Sequence, residues 1–186
     1  NAKWMNYDLT MDEIPEKSDL VIASYVLNEL NEEERIKALD KLWQAADKIL
    51  LIVEPGTPAA YSQVKGMREY MLTKGAHIVC PCPHEHSCQL PEDDWCHFSC
   101  RIPRSKLHRQ LKEGEVPYED EKFTYLAIGR KQYRKPEGRI LRHPIIEKGR
   151  VTLDVCSLEG IKKVNVTKKD GDLYKKARKA RWGDEI

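Results

Sequence analysis

The sequence predicts an α/β protein in which a parallel sheet ends in an antiparallel pair and a small β-rich appendage follows. Continuous apolar runs alternate with helical periodicity between residues 19 and 80, which is the pattern of βαβ units. Beyond residue 136 short strand-like runs dominate. The turn-rich basic segment KQYRKPEGR lies between these regions, so we expect a domain over 1–135 and an appendage over 136–186.

The first domain begins with three predicted strands and two helices. DLVIASY (19–25) and KILLIVE (48–54) are continuous apolar runs, typical of strands buried on both faces. Between them, Asn31 and Glu34 form a capping-box pattern before a helical repeat of apolar residues. A second helix should run to Gly75, followed by the short strand HIVC, all joined by right-handed crossovers.

Further strands follow a cysteine-rich loop at 80–100. We expect WCHFSCRI to pair in antiparallel fashion with KFTYLAIGRK (122–131), with a short basic helix around SKLHRQLK between them. In the appendage, RILRHPII, RVTLDVCS and KKVNVTK each predict a strand, and a helix should begin near Asp170.

The loop CPCPHEHSCQLPEDDWCHFSC holds five of the six cysteines and three of the six histidines. Cys82, Cys88 and Cys96 are spaced six and eight residues apart, without the CxxC pairs of most zinc sites. Iron–sulfur clusters tolerate such open spacing, and a fourth thiolate would have to come from Cys156, the one cysteine outside the loop. Zinc, which His84 and His86 could also bind, remains the alternative.

Two interpretations without metal were weighed. Free cysteines are often small buried hydrophobic residues, but five within 21 residues, interleaved with Pro and His, argue against packing alone. A disulfide framework requires an oxidising compartment, and nothing in this highly charged sequence resembles a signal peptide. A metal centre is therefore favoured.

Charge is distributed unevenly along the chain. Residues 1–40 carry ten acidic and four basic side chains, whereas residues 162–181 carry nine basic and two acidic ones, although the net charge is only +2. This basic end, followed by an aromatic ring, predicts an RNA-binding segment through phosphate contacts and base stacking. Its residues are Lys175, Lys176, Arg178, Lys179, Arg181 and Trp182.

Two further basic groups were expected to extend this surface. A solvated helix face is the plain alternative for any such run of lysines. The groups are Arg130, Lys131, Arg134, Lys135, Arg139 and Arg142, and Arg101, Arg104, Lys106 and Arg109. No apolar run reaches the ~20 residues needed to span a bilayer.

Taken together, these segments resemble a known family. SDLVIASYVLNEL, the loop CPHEHSC, the segment DWCHFSCRIPRSKLHRQLK and the closing KKARKARWGD are similar to the Rsm-type, methyltransferase-like family of the small ribosomal subunit, found in bacteria and mitochondria. The resemblance implies the second half of a class I S-adenosylmethionine-dependent methyltransferase fold. It also implies a [4Fe-4S] cluster on the four cysteines that the spacing selects, with Cys80 and Cys100 as extra residues.

Methyl transfer is a weaker expectation than the fold. None of the ten glycines forms the G-x-G pair of a cofactor-binding first strand, and the chain begins at Asn1 rather than Met, so we expect a fragment that lacks that half-site. What remains of an S-adenosylmethionine pocket would lie at the carboxyl end of the first strand, at Ser24, Tyr25, Asn28 and Glu29. The sequence indicates no catalytic residue.

Two function hypotheses follow. One is a methyltransferase-like factor that binds ribosomal RNA and ribosomal proteins, carries a structural [4Fe-4S] cluster and acts in ribosome assembly or translation. The other is an active rRNA methyltransferase; a zinc-binding RNA-binding module is a further alternative. The resemblance implies the bacterial cytoplasm or the mitochondrial matrix as the compartment.

Overall fold

A computed structural model describes residues 3–111 and 116–186 of the chain. Its main sheet has five strands: β1 (Ser18–Ser24), β2 (Ala46–Pro55), β3 (His77–Cys80), β4 (Phe98–Pro103) and β5 (Tyr118–Gly129). The order is β1-β2-β5, and β3 and β4 both pair with the far edge of β5. The mixed α/β class predicted from the sequence is confirmed.

Parallel hydrogen bonding is confined to β1 and β2, because β5 lies between β2 and β3. The predicted antiparallel pairing of β4 with β5 is confirmed, with Phe98 opposite Phe123. The alternation of β5 predicts a half-exposed strand, but its second half, Leu126 to Gly129, is buried throughout. Burial on both faces suits β5 to a central position. The expectation that HIVC continues a parallel sheet is wrong, because β3 pairs with β5 in antiparallel fashion.

Two helices cover one face of this sheet with a single continuous core. Helix α1 (Glu32–Ala45) begins at the predicted capping box, in which the Asn31 side chain accepts from the Glu34 N–H at 3.0 Å. Helix α2 (Pro58–Thr73) has Thr57 as its N-cap. Gly75 follows the helix, and its φ of +78° ends the helical path as predicted. Leu39 of α1 and Met67 of α2 are buried in the same core, with Leu50 and Ile52 of β2.

The second sheet is entirely antiparallel and has its own small core. Its strands are β6 (Gly138–Ile140), β7 (Ile145–Glu147), β8 (Arg150–Ser157) and β9 (Gly160–Thr167). β8 is central, with β9 on one edge and β6 and β7 on the other. RILRHPII, predicted as one strand, forms two, because Pro144 has no N–H for the ladder.

Two short helices complete the described chain. Helix α3 (Lys106–Leu111) lies between β4 and β5 as expected, and helix α4 (Asp172–Ala177) packs Tyr174 and Ala177 onto the second core. After α4 the chain returns to β6, where the backbones of Gly138 and Ile186 exchange two hydrogen bonds. No described helix is long and apolar enough to cross a bilayer. The boundary near residue 135 stays a prediction.

Gly56, which follows β2, lies too close to β5 for any side chain. A Cβ at this position would lie 2.7 Å from backbone atoms of Lys122 and Phe123. We therefore predict that Gly56→Ala lowers the free energy of unfolding by about 1–3 kcal/mol or more, because the strand must shift. The matched control is Gly66→Ala in α2, where the Cβ meets nothing within 4 Å and the change should stabilise by about 0.5–1 kcal/mol. Urea denaturation of both variants measures the difference, and equal effects would contradict the close approach.

Candidate metal centre and neighbouring sites

Four cysteines from two distant parts of the sequence line one cavity. Cys82, Cys88 and Cys96 come from the loop that follows β3, and Cys156 comes from β8 of the second sheet. The cavity measures about 50 Å³ and is closed by α2 on one side and by β5 on another. The structure thus brings together the four thiols that the sequence predicts as ligands.

These thiols lie close enough to influence one another's ionisation. Burial is the main cause that raises the pKa of Cys96 well above its usual range, and the neighbouring Cys82, Cys88 and Cys156 raise it further. Burial raises the pKa of Cys156 to about 12, with added effects of Cys82 and Cys88. All six cysteines lie in the described part of the chain, and none forms a disulfide.

Two buried arginines line the same cavity. Arg68 of α2 is 4% exposed and donates from Nη2 to the carbonyl oxygens of His84 (3.1 Å) and His86 (2.7 Å). Arg139 of β6 is 8% exposed and donates from Nε to the carbonyl oxygen of Pro81 at 3.0 Å. Each guanidinium also has a carboxylate partner: Arg68 Nη1 lies 2.6 Å from Glu69, and Arg139 Nη2 lies 3.3 Å from Glu185.

Three of the four sulfurs also face polar side chains. The Tyr61 hydroxyl lies 3.1 Å from Cys88 Sγ, and His84 Nε2 lies 3.5 Å from Cys156 Sγ. Burial raises the pKa of Cys82, while the charge and hydrogen bond of Arg68 act in the opposite direction. Within the described residues, the buried atoms His84 Nδ1 and Arg68 Nε have no hydrogen-bond partner.

The four thiols form a donor set that suits either zinc or an iron–sulfur cluster. Among residues 3–111 and 116–186, no group of three or more His, Cys, Asp or Glu side chains is found in a geometry ready to hold a metal ion. Metal binding by these cysteines stays a prediction.

Cys80 and Cys100 lie apart from this group. Cys80 ends β3 and precedes the cis peptide bond to Pro81, and its pKa is raised by burial, with a hydrogen bond to Tyr125 acting against this. Cys100 is exposed on β4. Neither lines the cavity.

The cysteine-rich loop is fastened at several points along its length. Glu85 accepts from the backbone N–H of Ile78 at 3.0 Å and from Lys135 at 2.6 Å. Trp95 donates from its indole N–H to the carbonyl oxygen of Gly56 at 2.9 Å, which ties the loop to the end of β2.

Trp182 packs against this loop from the other side. Its ring meets those of His97 and His143 edge-on, with centroid distances of 4.8 and 4.9 Å. Its role as a platform for an RNA base, predicted from the sequence, stays a prediction, and the structure adds a packing role that the sequence did not indicate.

The four predicted cofactor-binding residues lie together at the carboxyl end of β1. Ser24 ends the strand, and Tyr25 has a left-handed φ of +56°, which is rare for an aromatic residue. The Tyr25 hydroxyl lies 3.2 Å from a carboxylate oxygen of Glu121, and Asn28 donates to Glu29 at 3.0 Å.

Sequence reasoning missed Glu54 beside them. Its side chain is fully buried at the end of β2 and accepts from the backbone N–H of Leu27 at 2.9 Å. Burial raises the pKa of this carboxyl group, opposed by hydrogen bonds from backbone amides of the turn. The sequence feature that could have indicated Glu54 is its position as an acidic residue at the end of the apolar run KILLIVE.

The structure divides the predicted basic residues into two classes. Arg130 stacks on Trp43, Arg139 is buried in the cavity wall, and Arg142 pairs with Asp94, so the idea of one continuous positive surface is wrong for these three. Arg101 also forms an ion pair, with Asp120. The side chains of Lys106 and Arg109 lie outside the described residues.

The basic end of the chain remains exposed. Lys175, Lys176, Arg178, Lys179 and Arg181 are all exposed on or just after α4. Lys175 pairs with Asp172, and for the other four no ion pair is found with any described residue.

Comparison with known proteins identifies the family. The family model described as mitochondrial small ribosomal subunit Rsm22 matches residues 2–186. The chain belongs to the Rsm22 family. This confirms the family resemblance that the sequence shows in segments such as the cysteine-rich loop and the basic end.

Three curated members of this family are similar to the chain. Rsm22-cox11 tandem proteins 1 and 2, mitochondrial, of Schizosaccharomyces pombe are each 27% identical to it, covering 89% of the chain and 28% of their own length. The human ribosome assembly protein METTL17, mitochondrial, is 26% identical, covering 89% of the chain and 39% of its own length. The chain therefore spans only about a quarter to two fifths of these relatives.

Proposed function

We propose that this Rsm22-family chain acts in assembly of the small ribosomal subunit in the mitochondrial matrix, as an RNA-binding unit built around a [4Fe-4S] centre. The observation that carries the proposal is the cavity lined by Cys82, Cys88, Cys96 and Cys156, since these thiols come from two different sheets. The names of the mitochondrial relatives support the compartment and the ribosomal process.

The four cavity cysteines would hold the cluster, and the group, when bound, supplies covalent links between the loop and the second sheet. Cys156 is the single ligand from that sheet, so its bond would fasten β8 to the loop. Arg68 and Arg139 neutralise negative charge beside the sulfurs and hold the loop carbonyls in place. Because such a site does not exist in the unfolded chain, binding free energy would contribute to folding free energy.

We predict that Cys156→Ala lowers iron and acid-labile sulfide from about four each per chain to a small fraction of that value. Loss of this ligand should also lower the melting temperature, since the second sheet loses its attachment. Anaerobic reconstitution, metal analysis and thermal unfolding measure these effects. Cys100→Ala is the matched control, because this exposed thiol lies outside the cavity and its removal should leave the iron content unchanged. Full iron in the Cys156 variant would remove Cys156 from the ligand set, and loss of iron in the Cys100 variant would show that Cys100 is also needed for the centre.

A zinc centre is the alternative, and metal analysis of the purified chain tests it. Zinc at about one atom per chain, without sulfide, would show a Cys-ligated zinc site instead of a cluster.

The basic end offers a surface for RNA phosphates. Lys176, Arg178, Lys179 and Arg181 are exposed, and no described acidic residue neutralises them. A polyanion would release counterions on binding to such a group, so affinity should depend strongly on salt. Small-subunit ribosomal RNA is the polyanion that the family description suggests.

We predict that replacing Lys175, Lys176, Arg178 and Lys179 with Glu abolishes binding to small-subunit ribosomal RNA, while iron content stays unchanged. For the parent chain, the logarithm of the binding constant should fall with the logarithm of salt concentration, with each neutralised phosphate contributing about −0.7 to −0.9 to the slope. Filter binding or fluorescence anisotropy at several salt concentrations measures both quantities.

A charge-reversal control separates this surface from general electrostatics. Lys17, Lys37 and Lys48 are exposed in the acid-rich first half of the chain, and their replacement with Glu should reduce affinity far less. Equal losses in the two variants would indicate nonspecific attraction, and unaltered affinity in the α4 variant would exclude the basic end from the interface.

Methyl transfer is a second candidate function, favoured by the left-handed Tyr25 beside buried Glu54 at the carboxyl ends of β1 and β2. Strained residues at such strand ends are frequent at ligand sites. The chain nevertheless lacks a G-x-G turn, and Asn28 and Glu29 already bond to each other.

We predict that this chain alone binds S-adenosylmethionine at millimolar affinity or weaker, which corresponds to about 4 kcal/mol, because its sequence contains no G-x-G turn for the cofactor. Isothermal titration calorimetry measures the affinity. Micromolar binding by the parent chain, lost in Glu54→Gln and retained in Cys100→Ala, would place a complete cofactor pocket here and favour the enzyme.

A further inference from the structure

Two of the four candidate ligands each have their own hydrogen-bonding side chain. The Tyr61 hydroxyl lies 3.1 Å from Cys88 Sγ, and His84 Nε2 lies 3.5 Å from Cys156 Sγ. Both polar side chains line the same cavity as the sulfurs, and so does the buried guanidinium of Arg68.

The direction of these hydrogen bonds is fixed once the cysteines are thiolates. A thiolate has no proton to give, so the Tyr61 hydroxyl and the His84 N–H must donate, and a guanidinium has donors alone. Tyr61 and Arg68 are seven residues apart on α2, which places them two turns apart on one face of the helix. One helix therefore presents a hydroxyl donor and a positive charge to the same cavity.

Packing alone does not account for this choice of residues. A Phe ring would fill the place of Tyr61 without a hydroxyl, and an apolar side chain would fill that of His84. As it stands, His84 is 4% exposed and its Nδ1 has no partner in the described chain, an arrangement that is unfavourable for a buried polar group. A buried polar group with an unsatisfied atom points to a function for its other nitrogen, which lies beside Cys156.

Resting on the proposed iron–sulfur function, we propose that Tyr61 and His84 set the reduction potential of the centre and make its reduced form accessible. Hydrogen bonds to ligand sulfurs stabilise the state that carries one more negative charge. The step is the uptake of one electron from an external one-electron donor, with no covalent bond formed or broken. Both side chains are positioning residues, since each acts through a cysteine.

The test compares reduction potentials of the full chain and two isosteric or near-isosteric variants. Tyr61→Phe removes the hydroxyl and keeps the ring, and His84→Leu removes the imidazole donor. Each protein is reconstituted anaerobically, analysed for iron and sulfide, and titrated with dithionite in the presence of mediator dyes while electron paramagnetic resonance follows reduction. We expect full iron content and a more negative midpoint potential in both variants.

His84→Gln is the rescue variant, because its amide can place a donor near the position of the imidazole Nε2. It should return the potential toward that of the parent chain, which a purely structural role of His84 would not predict. Arg68 is left unchanged, since it also fastens the carbonyl oxygens of His84 and His86.

The outcomes separate this inference from the proposed function. Potentials of Tyr61→Phe and His84→Leu equal to that of the iron-loaded parent would overturn the inference and leave the iron–sulfur centre standing. A parent chain that binds no iron, or zinc alone, would overturn both. If His84→Leu loses its iron, Tyr61→Phe decides, since its change leaves the cavity volume nearly intact.

Discussion

The loop that carries the candidate centre is held by hydrogen bonds from two buried guanidinium groups, because it has no regular secondary structure of its own. Between β3 and β4 the loop has no ladder to satisfy its carbonyl groups, and three of these accept from Arg68 and Arg139. Arg68 projects from α2 and Arg139 from β6, so the main domain and the second sheet each hold one part of the loop. The loop can present three cysteines at fixed positions because both sides constrain it.

Much of the fold could be predicted from local patterns in the sequence, and so could some residues of the candidate site. The Asn31 capping box, the existence of strands β1 and β2, and the pairing of β4 with β5 depend on short-range patterns that a sequence displays directly. The prediction that β1 is buried on both faces is wrong, since Leu20 and Ile22 are 50% and 56% exposed. The four cavity cysteines were found because thiolates have few alternative uses at such spacing. The position of β5 between β2 and β3 was not predictable from periodicity, since strand order depends on contacts between distant segments.

The basic residues show where charge alone fails as a guide. Arg130, Arg139 and Lys135 were grouped with an RNA-binding surface by proximity in sequence, yet each has a structural partner: the ring of Trp43, the carbonyl of Pro81 and the carboxylate of Glu85. Arginine serves such internal roles well, because its planar group satisfies several acceptors at once. Whether a cation is available to a partner depends on what faces it, which the sequence does not display.

One hydrogen bond connects the cysteine-rich loop to the strand end that carries Glu54. Trp95 lies one residue from Cys96 and donates to the carbonyl oxygen of Gly56, while the Gly56 N–H donates to Lys122 of β5. Gly56 lies two residues after Glu54, the buried carboxylate that holds the turn after β1. The loop is therefore attached to the Glu54 end of β2 at a glycine that has no space for a side chain.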